Sequence, residues 1–122
     1  MRISGLYLTS VAIVMFLSFL EHTLKPELPA RASNWGLSPG WQREIGLWNV
    51  GMLVVIVAVL WNGDPNGIRA AVMGVVALTA LLGTNHVFAM LADRRGWVHR
   101  VAAIMNYAGG VAGSAVLALE RR

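Results

Sequence analysis

The side chains of this sequence that could do chemistry are few, and all of them are polar residues set among long apolar runs. They are Glu21 and His22, Glu44 and Asn49, Asn85 and His86, and Asn106 with Tyr107 beside it. A carboxylate near an imidazole is a common arrangement for moving a proton, and partial loss of hydration makes the carboxylate a stronger base. On that reasoning Glu44 and His86 are the candidate catalytic residues. Glu21, His22, Asn49, Asn85 and Asn106 would bind and orient a polar ligand. Imidazoles also ligate metals. However, no His-x-x-x-His or Glu-x-x-His pair lies on one helix, the spacing that helical metal sites use, so no metal and no cofactor is expected. Each residue has a plain structural use as well. The histidines and asparagines can hydrogen-bond a neighbouring helix, Glu44 can pair with Arg43 or Lys25, and Glu21 can sit in the membrane interface. His99, beside Arg100, reads as a solvated headgroup contact.

The positions of the charges show what must hold these groups. The ten basic and six acidic residues fall into short groups, and the stretches 3–20, 45–63, 70–92 and 101–119 between them carry none. Each stretch is long enough to cross ~30 Å of hydrocarbon at ~1.5 Å per residue. A charge at the centre of such a span costs about 2.5–3.5 kcal/mol, and a helix of a soluble bundle would show one charged face. Of the 122 residues, 57% are hydrophobic and 13% charged, against about a quarter charged in a soluble domain. The expected fold is therefore all-α: a four-transmembrane-helix up-down bundle forming one integral membrane domain over 1–122. Its helices are expected at about 3–23, 39–62, 68–92 and 97–119. The first span exceeds the roughly 7–15-residue apolar core of a cleaved signal and is read as a mature helix. The absence of cysteine excludes disulfides and thiolate chemistry. The net charge of +4 does not form a basic face, so nucleic acid is not an expected partner. The juxtamembrane basic residues would meet lipid headgroups instead.

The connections fit this plan. Asp64-Pro65-Asn66-Gly67 reads as a tight turn joining the second and third spans, and Asp93-Arg94-Arg95-Gly96 as the stop of the third, with Gly96 as its left-handed cap. Ser38-Pro39 reads as a helix cap followed by proline at the first helical position. Trp35, Trp41 and Trp97 near one membrane face and Trp61 near the other suit an aromatic belt. Loops 1 and 3 carry more basic residues than the opposite side, which leans them towards the cytoplasm.

Up-down topology gathers the polar residues at one level. The first and third spans end where the second and fourth begin, which places Asn49, Asn85, His86 and Asn106 about 10 Å below one membrane face, with Glu21, His22 and Glu44 shallower. Polar groups in lipid need partners, so one half-buried cluster open towards loops 1 and 3 is expected. Ser18 lies one turn before His22, and Thr79 and Gly83 lie on the His86 face. A faint repeat relates the two halves. Each hairpin has a histidine late in its first helix, and Arg43 and Asn49 in the second span correspond to Arg100 and Asn106 in the fourth. Ala102, Asn106, Gly109, Gly110 and Gly113 form one stripe, suited to close packing within the bundle or against a second copy.

No phosphate loop, zinc motif, nucleophile elbow or dinucleotide fingerprint is present. The run Arg43-Glu44-Ile45-Gly46-Leu47-Trp48-Asn49, continuing to Gly51, and the run Gly83-Thr84-Asn85-His86 resemble helix motifs of small four-helix bacterial membrane proteins of unknown function, the DUF6790-type family. The resemblance implies a four-helix inner-membrane fold and no known activity. A Glu, His and Asn pocket in one half of a bundle is also similar in architecture to sterol-isomerase-like membrane proteins, without a shared motif. Two functions are therefore expected as alternatives. One is a multi-pass membrane protein whose Glu/His/Asn pocket binds or acts on a small amphiphilic or lipid-like molecule. The other is a non-enzymatic membrane subunit whose polar cluster is structural and whose glycine-rich fourth helix binds a partner, either a homo-oligomer or another membrane protein.

Overall fold

The computed structural model describes residues 2–92 and 97–120. Its elements are α1 (Ile3–Leu24), α2 (Glu27–Ala32), α3 (Pro39–Asn62), α4 (Pro65–Ala92) and α5 (Trp97–Leu119). No strand occurs among the described residues. The helices α1, α3, α4 and α5 are long and apolar enough to cross a membrane, and large apolar side chains point outward all around them, among them Trp61 (91% exposed), Leu81 (71%) and Val111 (71%). A surface of that kind is what a lipid solvent requires, and the chain is a multi-pass membrane protein.

The bundle consists of two antiparallel hairpins. α1 packs along α3 and α4 packs along α5; α1 also touches α4 and α5, whereas α3 and α5 do not meet. Lipid is as apolar as a leucine side chain, so these seams depend on close approach and hydrogen bonds rather than on escape from water. Glycine supplies the approach. A Cβ on Gly46 would lie 2.5 Å from the Thr23 hydroxyl oxygen of α1. A Cβ on Gly113 would lie 2.6 Å from Val76 Cγ2 and 2.7 Å from the Tyr7 hydroxyl oxygen. Gly110 faces Thr79 in the same way, and the Tyr7 hydroxyl donates to the Gly109 carbonyl at 3.0 Å. The small-residue stripe of α5 is thus seated against α4 and α1.

Leu8, Ala12, Ile56, Val72 and Val75 form the buried apolar core. These residues belong to the early turns of α1 and α4 and the later turns of α3, so the core fills the half of the bundle remote from the first loop. The hydrogen-bonded histidines, with Asn49 and Ser18, occupy the other half.

Two connections differ from expectation. The first loop contains the short helix α2, whose Ala30 is buried and which touches α1 and α5. The expected turn at 64–67 is the first turn of α4, which begins at Pro65 rather than 68. The reason is local. The Asp64 carboxylate accepts the Gly67 N–H at 2.7 Å and proline occupies the first helical position, so the segment is a helix start. The chain reverses one residue earlier, at Gly63, with φ 68°. α3 does start at Pro39 after Ser38, although the Ser38 side chain makes no capping bond. The expected stop at 93–96 lies outside the described residues.

Candidate functional site

Each hairpin carries its own polar group near the first-loop face. In the α1–α3 hairpin, His22 Nδ1 donates to Oε1 of the buried Gln42. One to two turns deeper, Asn49 Nδ2 is shared between Ser18 Oγ at 3.0 Å and the Ile45 carbonyl at 3.1 Å. Gly46, between Gln42 and Asn49, lets the backbones close enough for both bonds.

In the α4–α5 hairpin, His86 Nδ1 lies 3.0 Å from His99 Nδ1, and His99 Nε2 lies 2.7 Å from Asn34 Oδ1. Asn34 comes from the first loop, and its Nδ2 donates to the Ala89 carbonyl at 3.0 Å. These partners fix the tautomers of the neutral rings. Asn34 Oδ1 only accepts, so His99 carries its proton on Nε2. His99 Nδ1 is then a lone pair, and His86 must donate from its own Nδ1. The hydrogen bonds therefore run in one direction, from His86 through His99 and Asn34 to a backbone carbonyl. His86 Nε2 is left as an acceptor with no partner among the described residues. Trp35 covers the pair. Its ring stands 5.3 Å from the His86 ring at an interplanar angle of 22°, and 4.5 Å from the His99 ring at 52°. A positive φ at Gly36 turns the chain directly after this tryptophan.

The expected single cluster is thus two groups, because each hairpin closes on itself and α3 does not reach α5. His22 and Asn49 belong to one group and His86 to the other. Asn106 bonds back to the Ala102 carbonyl of its own helix at 2.8 Å. The side chains of Glu21, Glu44 and Asn85 are exposed and make no hydrogen bond or ion pair with a described residue, so neither carboxylate touches an imidazole. The reading of His99 as a solvated headgroup contact is corrected: the residue is 1% exposed and sits at the centre of its group. Asn34 and Gln42 are not singled out by the sequence, and Trp35 only as a member of an aromatic belt.

The faint repeat held the missing signal. Aligning Arg43 with Arg100 aligns Gln42 with His99, and these are the two partners of the aligned histidines, His22 and His86. Asn49 and Asn106 correspond too, each bonding the carbonyl four residues back. The hairpins are alike bond by bond at these positions.

Chemically, the second group offers a hydrogen-bond acceptor beside a flat aromatic surface. Among the described residues, no three His, Asp or Glu side chains converge as metal ligands would. No family model, curated protein or solved structure matches this chain.

Proposed function

We propose that this multi-pass protein lies in a bacterial inner membrane and binds a small amphiphile at the first-loop face, through His86 and His99 beneath Trp35. The observation that carries the reading is the one-way hydrogen-bond chain, which leaves His86 Nε2 as an acceptor beside the indole. A hydroxyl-bearing head would donate to that nitrogen while its apolar body lay in the bilayer. Asn49, Asn106, His22 and Glu21 stand at or near the same level as secondary contacts. Binding is favoured over proton transfer because Glu44, the carboxylate proposed to work with His86, has no hydrogen bond to an imidazole. A DUF6790-type membership belongs to the same reading and rests on its two motifs.

The test is the set of amphiphiles that co-purify with the full chain in mild detergent, identified by mass spectrometry. His86→Ala and Trp35→Ala are expected to lose a species that wild type and Ser114→Ala, on the remote half of α5, retain. Should His86→Ala keep the wild-type complement and only melt earlier, the histidines are structural.

That outcome would favour a second reading, a non-enzymatic membrane subunit. One observation supports it. Asn85 projects outward from α4 an amide that has no partner among the described residues, with Leu81, Phe88 and other exposed apolar side chains on the same helix. An amide facing hydrocarbon is costly unless a neighbouring helix bonds it.

A further inference from the structure

The face opposite the first loop carries a site independent of the histidine pair. The start of α1, the α3–α4 turn and the end of α5 meet there around a cleft of about 190 Å³, lined by Arg2, Ser4, Asn66, Arg69 and Glu120 among others. Its charges do not cancel. The Glu120 carboxylate is committed to α1, accepting the Ser4 backbone N–H at 3.0 Å, and neither arginine forms an ion pair with a described residue. Ser4 is 2% exposed, and its backbone and hydroxyl both face the Glu120 carboxylate.

A second, larger hollow of about 340 Å³ adjoins the first and shares Arg2 with it. It follows α1 from Gly5 to Thr9, into the bilayer, with Leu60 and Ile68 on its walls. A polar, net-cationic cleft at headgroup depth that opens onto an apolar groove matches a molecule with an anionic head and a hydrocarbon chain.

We infer that this cleft is a phospholipid site: Arg2 and Arg69 hold the phosphodiester, and the first part of an acyl chain lies in the groove along α1. The groove distinguishes a bilayer lipid from free phosphate, which would leave it empty. One phosphodiester anion balances the charge that Arg2 and Arg69 leave beyond Glu120. Arginine suits the role because its planar fork meets two phosphate oxygens at once.

The experiment uses the full chain in detergent, stripped of lipid, titrated with phosphatidylglycerol and read by native mass spectrometry. Wild type is expected to retain one phosphatidylglycerol and to discard dioleoylglycerol, which has the chains without the phosphate. Arg2→Gln or Arg69→Gln is expected to lower retention about fivefold or more. Arg69→Lys, which keeps the charge without the planar fork, should recover part of the loss. Arg43→Gln, on the other membrane face, serves as the charge control and should match wild type. Circular dichroism of each variant establishes that its helices are intact. Equal retention by Arg69→Gln and wild type would overturn the site. So would equal retention of dioleoylglycerol. Displacement of phosphatidylglycerol by an equal concentration of glycerol phosphate would overturn the lipid as its occupant.

Discussion

Substituting His99 removes the middle link of the chain of hydrogen bonds that begins at His86. His99→Ala would orphan the Asn34 carbonyl oxygen and the His86 Nδ1 proton, and it would leave a hollow under Trp35. A loss of about 2–3 kcal/mol is expected, measured by thermal or denaturant unfolding in detergent. His99→Gln should keep most of the stability, because a glutamine also offers one donor and one acceptor and Gln42 occupies the equivalent place in the first hairpin. An equal loss for His99→Gln and His99→Ala would contradict the assigned bonds. At this scale the sequence was only partly readable. The depth of the polar residues followed from where the charges stop. Which of them turn inward did not. Asn85 and His86 are neighbours about 100° apart on one helix, and one faces out while the other faces in. In water a polar face would reveal such a difference, but in a bilayer both sides of a helix are apolar and the pattern is nearly blank.

The glycines can be sorted at the level of helices. Gly113 and Gly51 lie on transmembrane helices and look alike in the sequence, yet an added methyl would collide with Val76 and Tyr7 at the first and would meet nothing within 4 Å at the second. Gly113→Ala is therefore expected to cost about 1–3 kcal/mol through forced separation of α5 from α4 and α1. Gly51→Ala should leave stability unchanged or raise it by up to ~1 kcal/mol through helix propensity. Both are measured by unfolding in the same detergent, and similar effects at the two positions would refute the packing described for α5. The expected spans correspond to four of the observed helices because the absence of charge over a membrane's thickness is a strong constraint. α2 escaped notice because Pro26 and Pro29 suggest an irregular loop, while its six residues are too few to show a period. The start of α4 was misplaced because Asp-Pro-Asn-Gly suits a turn and a helix start equally well. Only the bond from the Gly67 N–H to Asp64 distinguishes them.

Hydrogen bonds join the hairpins at both membrane faces, besides the Tyr7–Gly109 bond within the bundle. At the first-loop face, Asn34 reaches from the first hairpin's loop to His99 and Ala89 of the second. At the other, Glu120 receives the Ser4 N–H. The Ser4 backbone and hydroxyl, with Arg2 nearby, hold the Glu120 carboxyl below its ordinary range. A group whose folded pKa is depressed lends stability above its unfolded pKa and loses it as pH falls through the folded value. Stability should therefore decline on acidification below the usual carboxylate range, and Glu120→Gln should flatten that part of the profile. Melting temperature against pH for the two proteins checks this, and an unchanged slope in Glu120→Gln would show that the tie is not charge-dependent.

The Ser4–Glu120 contact joins residues 116 positions apart. During synthesis, α1 therefore enters the bilayer long before the group that covers its leading turn has left the ribosome. Its exposed N–H groups must be solvated by water or headgroups at the translocon exit until α5 is threaded. Within this bundle α5 completes α1, so the clasp closes only once both hairpins are in place.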